Sequence, residues 1–439
     1  MKLDHEQQST KPTIWFGLVR SFRQNRYRYV VLLVVLISLS VGLEEYFSWP
    51  PSVTQTGPTN YPMNQITSAN GTTQITQSDN VQTQAPSSST PVVGNEVQAA
   101  LPSCPNTPLY SVPPIPVTNI SYILPLGSFN PLPTDHMYYV ITKNGPGDAS
   151  PVDVVDFFAP GDMTIFRIGR QIQTTNGKIM NTDYFAYFAA CKEVSGLFGH
   201  VTSLFGALAG IDFTHCDKPY SIGNGSEYEH CTADVNIKVK AGEKIGTAGG
   251  KSSSALDFGN DDSRLPMPYV ANPAHHYDFI ASCSVDYYQD GEVKERLQKL
   301  LGQGGDKMSV DGYCGEVFQD RKGTLAGNWF GGTPDQTSND VTKLMVLGHT
   351  SYDPSIAAIS IGGTITSKGE GDFTPTHTGT INRVFSEVTP SDTVYCYETT
   401  GLPGRILIQL GTETTMKIED QTGACSSDVV FHKPFDYQR

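Results

Sequence analysis

A chain of 439 residues exceeds one ordinary domain, and two folded units are the natural expectation. Asp and Glu number 44 against 30 Lys and Arg, a formal net charge of −14 at pH 7. That balance argues against nucleic acid or an anionic lipid surface as the main partner, and reads most simply as an acidic, solvated surface.

The first element is an uncharged apolar run from Tyr29 to Leu43, "YVVLLVVLISLSVGL". Six basic and two acidic residues precede it in 1–28, and Glu44, Glu45, Phe47 and Trp49 follow. The run is short for a helix crossing about 30 Å of hydrocarbon and would equally suit a signal-peptide core. Phe47 and Trp49 extend it towards an interface, and no A-x-A-type cleavage site follows. The expectation is an uncleaved transmembrane signal anchor over 29–47 with a cytoplasmic basic tail over 1–28. The membrane would then be a partner, in a single-pass cell-membrane protein with the bulk of its chain extracytoplasmic. Beyond residue 28 the balance sharpens to 24 basic against 42 acidic residues.

Residues 48–100 are rich in Ser, Thr, Gln, Asn and Pro, with no hydrophobic period. They cannot bury enough apolar surface to offset the entropy of ordering, so a disordered stalk is expected. All eight cysteines (Cys104, Cys191, Cys216, Cys231, Cys283, Cys314, Cys396, Cys425) lie beyond the apolar run. An even count there fits disulfides in an oxidising compartment, and no C-x-x-C spacing points to a cysteine zinc site. Spacing alone selects none of the possible pairings. Asn70, Asn119 and Asn224 head glycosylation sequons of weak specificity.

Residues 101–304 read as short strands broken by Gly and Pro: "DVVDFF", "MTIFRIG", "YFAYFA", "LFGHVTSLF" and "VNIKVK". "EVKERLQKLL", Glu292 to Leu301, has helical spacing, and the Gly-Gln-Gly-Gly after it closes the unit. Over 305–439 strands resume as "KLMVLGHT", "IAAISIGGTI", "TINRVFSEV", "TVYCYET", "RILIQL" and "TMKIED". The fold class expected is mainly β: an antiparallel β domain ending in a helix, then a second all-β barrel or sandwich. "GTLAGNWF" resembles, over three residues, the opening Gly-x-Trp strand of lipocalin-like barrels, and Trp329 is expected to pack in a core or barrel end rather than line a ligand cup.

Residues of about 120–265 resemble the lysostaphin-type peptidoglycan endopeptidases, the duplicated-hybrid-motif family. Four stretches carry the resemblance: "SPVDVVDFFAPGDMTIFRIG", "VKAGEKIGTAGG", "FGHVTSL" and "TDHMYYV". It implies an antiparallel β peptidase domain with a zinc held by His-x-x-x-Asp and the second position of His-x-His. Carried over, His136 matches the first ligand, while Val140 stands where an aspartate is needed and cannot coordinate. Asp257 stands at the third ligand position, Ala255 replaces an assisting histidine, and His200 matches the other. A hydrolytic zinc needs three ligands and an open position, so this site is degenerate.

Two readings follow. In the first, this is a membrane-tethered cell-envelope protein whose peptidase-like domain binds cell-wall peptide or glycan, or acts as a scaffold, without catalysis. No cofactor is then needed, and His136 and His200 are polar residues hydrogen-bonded to Asp257 or to backbone. In the second, His136, His200 and Asp257 form an altered zinc set, with Asp135 as an extra ligand or ring-orienting group, in an active metalloendopeptidase with His200 as the candidate catalytic residue. A purely structural role, in a surface layer or a pilus, is also open. His275-His276 reads as a loop pair, and His215 and His230 as surroundings of Cys216 and Cys231. "GKSSS" lacks the glycine spacing of a phosphate loop, so nucleotide is not expected.

Overall fold

The computed structural model describes residues 92–129, 131–141, 154–221, 226–250, 253–265, 270, 281–303, 306–308, 310–332, 341–366 and 369–439. The expected anchor at 29–47, most of the stalk, the Asn70 and Asn224 sequons and His275-His276 lie outside them. The expected transmembrane signal anchor, with the membrane as its partner, is corrected here: among the described residues no helix is long and apolar enough to cross a membrane. At the end of the expected stalk, Val92–Ala99 is a helix, α1.

The chain is mainly β, with antiparallel sheets. The larger sheet begins with β1 (Ile120–Leu124), β2 (His136–Ile141) and β3 (Val155–Phe158). Three long strands follow: β4 (Met163–Thr175), β5 (Lys178–Ala189) and β6 (Val194–Leu204). Then come β7 (His215–Cys216), β8 (Tyr220–Ser221), β9 (Ser226–Val239), β10 (Lys244–Ala248), β11 (Ala255–Asp262) and β12 (Ala281–Ser282). The main order across the sheet is β1-β2-β11-β6-β5-β4-β9-β7.

Asn176 and Gly177, with φ of 51° and 73°, make the tight turn between β4 and β5, as an Asn-Gly pair between two alternating segments favours. β11 runs through the middle of the sheet and is buried at seven of its eight positions. One of its faces packs Phe258 against Phe198, with ring centroids 4.8 Å apart, and Phe198 in turn against Phe188 and Phe157 at 4.6 and 4.9 Å. This aromatic stack backs the opposite face, where the polar residues of interest sit.

The predicted helix forms as α2 (Glu292–Gln298) and places Leu297 in the same core. A short ribbon, β13 (Gly302–Gln303) with β14 (Asp306–Lys307), follows it. That core extends to Val317, and a second core begins at Leu325.

The second unit contains β15 (Gly327–Gly331), β16 (Leu344–His349), β17 (Ala357–Ile361) and β18 (Gly369–Phe373). It continues with β19 (Tyr395–Tyr397), β20 (Arg405–Thr412), β21 (Thr415–Gln421) and β22 (Phe435–Gln438). These run as a meander in which β22 pairs back onto β15. The two remaining edges meet where Thr400 N–H donates to Asp372 O at 2.9 Å, which makes the unit a small barrel. Trp329, Met345, Ile359, Phe373, Tyr397 and Ile408 fill its interior, so it is a packed core rather than a cup.

One predicted strand is absent. "TINRVFSEV" instead crosses between β18 and β19, with a 3-10 turn at Phe385–Glu387. Its apolar residues serve as a plug: the Phe385 ring lies 5.6 Å from Phe373 and 5.0 Å from Tyr397. The two units are joined by a further apolar cluster in which Phe129 and Leu132 meet Phe330, Val346 and Ala358.

All eight cysteines pair, as Cys104–Cys191, Cys216–Cys231, Cys283–Cys314 and Cys396–Cys425. The third bridge ties β12's end to the segment leading into the barrel.

Candidate functional site

Strands β2, β11 and β6 are neighbours, and their registers determine which side chains can meet. Across β2 and β11, His136 lies opposite Gly259, Tyr138 opposite Asp257 and Val140 opposite Ala255. Across β11 and β6, Asp257 lies opposite Gly199. Because alternate residues share a face, His136, Tyr138 and Val140 stand on the same side as Ala255, Asp257 and Asp261.

Regular alternation from Gly199 would turn His200 away from this face. It is re-aimed by a bulge: Tyr184 pairs with Val201 but Ala186 with Phe198, so one residue of β5 opposes Gly199 and His200 together. His200 takes φ of 59°, an uncommon value for a residue with a side chain. Two glycines make room. A Cβ on Gly199 would lie 2.5 Å from Asp257 Oδ2, and one on Gly259 would lie 3.0 Å from His136 Cβ.

The structure thus brings together three side chains singled out from the sequence. His136 Nε2 lies 3.8 Å and His200 Nε2 lies 3.6 Å from the same oxygen, Asp257 Oδ2. Each imidazole is held from behind by its own carboxylate: His136 Nδ1 is 2.7 Å from Asp135 Oδ1, and His200 Nδ1 is 2.8 Å from Asp183 Oδ2. An ionised carboxylate only accepts, so the Nδ1 atoms carry protons and the Nε2 atoms face Asp257. His136, His200 and Asp257 are 3%, 1% and 0% exposed, which closes the centre to bulk water.

Burial alone would lower both histidine pKa values, but the carboxylates outweigh it. Asp257 and the Asp135 hydrogen bond raise His136, and Asp257 with Asp183 raises His200 to about 9. Burial raises the Asp257 carboxyl, and the two imidazoles only partly offset this. Asp261, farther along the same face, is also raised by burial and by Asp135. Asp183 and Asp257 are buried with the two imidazoles, while Asp135 and Asp261 are partly exposed at the margin, so positive charge, as protons or as a cation, is what balances the buried carboxylates.

Two imidazoles and a carboxylate are a zinc donor set, and a carboxylate behind each histidine is the arrangement that fixes ring orientation around such an ion. Donors about 2 Å from a common zinc stand about 3.3 Å apart, and each imidazole lies within a few tenths of an ångström of that distance from Asp257, at 3.6 and 3.8 Å. The residue types suit the ion. They do not fit the hydrolytic version of the site. Val140 and Ala255, facing each other in register, lie in an apolar cluster with Tyr122, Leu124 and Tyr138.

Among the described residues two three-donor groups have all their donor atoms within 4.8 Å of one another, Cys104/Cys191/Glu193 and Cys216/Glu229/Cys231, and both rest on disulfide sulfurs, which are not thiolate ligands. His215 and His230 flank the second bridge, as expected. Asp183 escaped the sequence reading because only the pairing of β5 with β6 places it beside His200. Asp135, adjacent to His136, was legible as a ring-orienting group.

Gly199→Ala tests how tightly the centre is built. The added methyl meets a fully buried carboxylate and has to displace it, so stability is expected to fall by about 1–3 kcal/mol in urea denaturation. A change below about 0.5 kcal/mol would mean that Asp257 moves freely. No family model matches this chain, and no curated protein and no solved structure does.

Proposed function

We propose that this is an extracytoplasmic cell-envelope protein whose larger β unit is a peptidase-like domain that binds cell-wall peptide or glycan, or serves as a scaffold, without hydrolysing it. The observation that carries this reading is the Val140–Ala255 pair. At the two positions where the resemblance requires a ligand and a proton carrier, an aliphatic side chain and a methyl group pack together in a closed apolar cluster. Neither can coordinate or move a proton. Four disulfides support an oxidising location. The joining of the two units through Phe129 and Phe330 supports a rigid scaffold that presents them together.

A second reading, an altered zinc endopeptidase, is favoured by one observation: both Nε2 atoms converge on Asp257 with carboxylates behind them. In that case His136, His200 and Asp257 hold the zinc, which supplies Lewis acidity, while Asp135 and Asp183 keep the imidazole rings in place.

Incubation of the folded region with cross-linked murein separates the two. The first reading expects co-sedimentation with murein that survives chelator, and no cleaved stem peptides. Release of cleaved stem peptides, abolished by chelator and by His136→Ala, would overturn it. Zinc below a tenth of an equivalent after mild purification would remove the second reading.

A further inference from the structure

The four disulfides are not alike. Cys191, Cys283, Cys314 and Cys396 are buried, Cys104 and Cys425 are half-buried, and Cys231 is fully buried. Cys216 stands apart as the exposed half-cystine. It lies on the two-residue strand β7, at the end of the main strand order and away from the His136–Asp257–His200 centre. Its partner is directly opposite on β9, with Cα atoms 3.9 Å apart.

The surroundings of the buried sulfur are polarised. Arg170 Nη2 lies 3.6 Å from Cys231 Sγ, and Glu229 Oε1 lies 3.4 Å from it. Arg170 also reaches Glu229 at 3.7 Å and stacks over the Phe213 ring at 4.5 Å, so the guanidinium is held in place. A thiolate formed at Cys231 would face a fixed positive charge, and a thiol there would have a carboxylate to donate to. Both protonation states of the released sulfur have a partner. On the exposed side stand His215, Asp217 and His230, the last two 3.2 Å apart.

We propose that Cys216–Cys231 is a thiol-exchange site that accepts electrons from an external dithiol. A thiolate of the reductant attacks Cys216 Sγ and forms a mixed disulfide, while the Cys216–Cys231 bond breaks and its electron pair leaves on Cys231 beside Arg170. The second thiol of the reductant then attacks its own mixed-disulfide sulfur. Cys216 leaves as a thiolate and takes a proton, and the reductant departs as a disulfide, oxidised by two electrons. Exposure decides which sulfur is attacked, and the guanidinium decides which one leaves well. Opening the bridge removes the covalent tie between β7 and β9, leaving their strand pairing and the packing of Phe213 against Arg170 and Tyr184.

The experiment needs no knowledge of the protein's role. The native protein is exposed to dithiothreitol at neutral pH, quenched at intervals by alkylation, and the four bridges are followed by peptide mass spectrometry. The expected result is reduction of Cys216–Cys231 at least about tenfold faster than any other bridge, with the fold intact by circular dichroism. With glutathione as a one-thiol probe, the adduct is expected on Cys216 and the alkylated free thiol on Cys231. Arg170→Gln should slow opening several-fold, and Glu229→Gln should speed it. Another bridge opening first, or an adduct found on Cys231, overturns the proposal. So does a wild-type rate in Arg170→Gln.

Discussion

Trp329→Ala is expected to lower the stability of the barrel by about 3–5 kcal/mol, the range for removing a large aromatic from a closed core. Trp329 is fully buried, and its indole N–H donates to Leu325 O at 2.9 Å. The Arg439 guanidinium lies 4.4 Å over its ring. Arg439 as a residue is 6% exposed, and its guanidinium donates to Thr324 O, Ala326 O and Glu413 O. Loss of the ring therefore opens a cavity at the barrel end and also removes the face against which a buried cation is packed. Denaturant unfolding of wild type, Trp329→Ala, Arg439→Met and the double variant would give both the cost and the coupling. A coupling of about 1 kcal/mol or more is expected, and additive losses would show that the stacked pair contributes nothing of its own.

The second large effect is a dependence of stability on pH in the metal-free protein. His200 is buried, and although burial favours the neutral ring, Asp257 and Asp183 raise its pKa to about 9. A histidine raised on folding contributes stability that is fully present below its ordinary value of about 6.5 and is lost as pH rises through about 9. At about 1.4 kcal/mol per pKa unit, the loss is on the order of 3 kcal/mol. His136 shifts in the same direction and adds to the slope. Unfolding free energies from pH 6 to 10 in chelator should therefore fall. Asp183→Asn should flatten the fall, because it removes one of the charges that hold the proton. Saturating zinc should flatten it also, since the ion would balance the carboxylates in place of protons. A flat profile in wild type would mean that the two imidazoles are neutral throughout, and the charge account of the centre would fail.

These two expectations bear on the proposed function differently. The first concerns a packed barrel end, consistent with a unit that presents an outer surface rather than an internal cup. The second concerns a centre that keeps polar donors but is closed off by burial, with His136, His200 and Asp257 all under 4% exposed. A closed His–Asp–His cluster beside the Val140–Ala255 pair is a place to hold charge and shape.

What could be read in the chain beforehand was local. β-Branched and aromatic enrichment between turn residues located most of β4, β6, β16, β17, β20 and β21 and parts of β5 and β9, and helical spacing located α2. The predicted strand at 380–388 failed because apolar, β-branched composition marks burial, and a plug across a barrel end buries such residues as well as a sheet does. The even cysteine count announced disulfides but not their partners, because pairing depends on which strands become neighbours.

The sequence by itself determined that His136, His200 and Asp257 are donors and that Val140 and Ala255 are not, since those are properties of side-chain chemistry. Only the tertiary structure decided that the donors meet. That required β11 to lie between β2 and β6, a bulge to turn His200 onto the shared face, and Gly199 and Gly259 to leave space. It also brought Asp183 behind His200 and Arg439 over Trp329 from positions distant along the chain. A two-residue period is written into each strand, whereas register and adjacency come from the folding of separate segments against one another, and no single segment contains them.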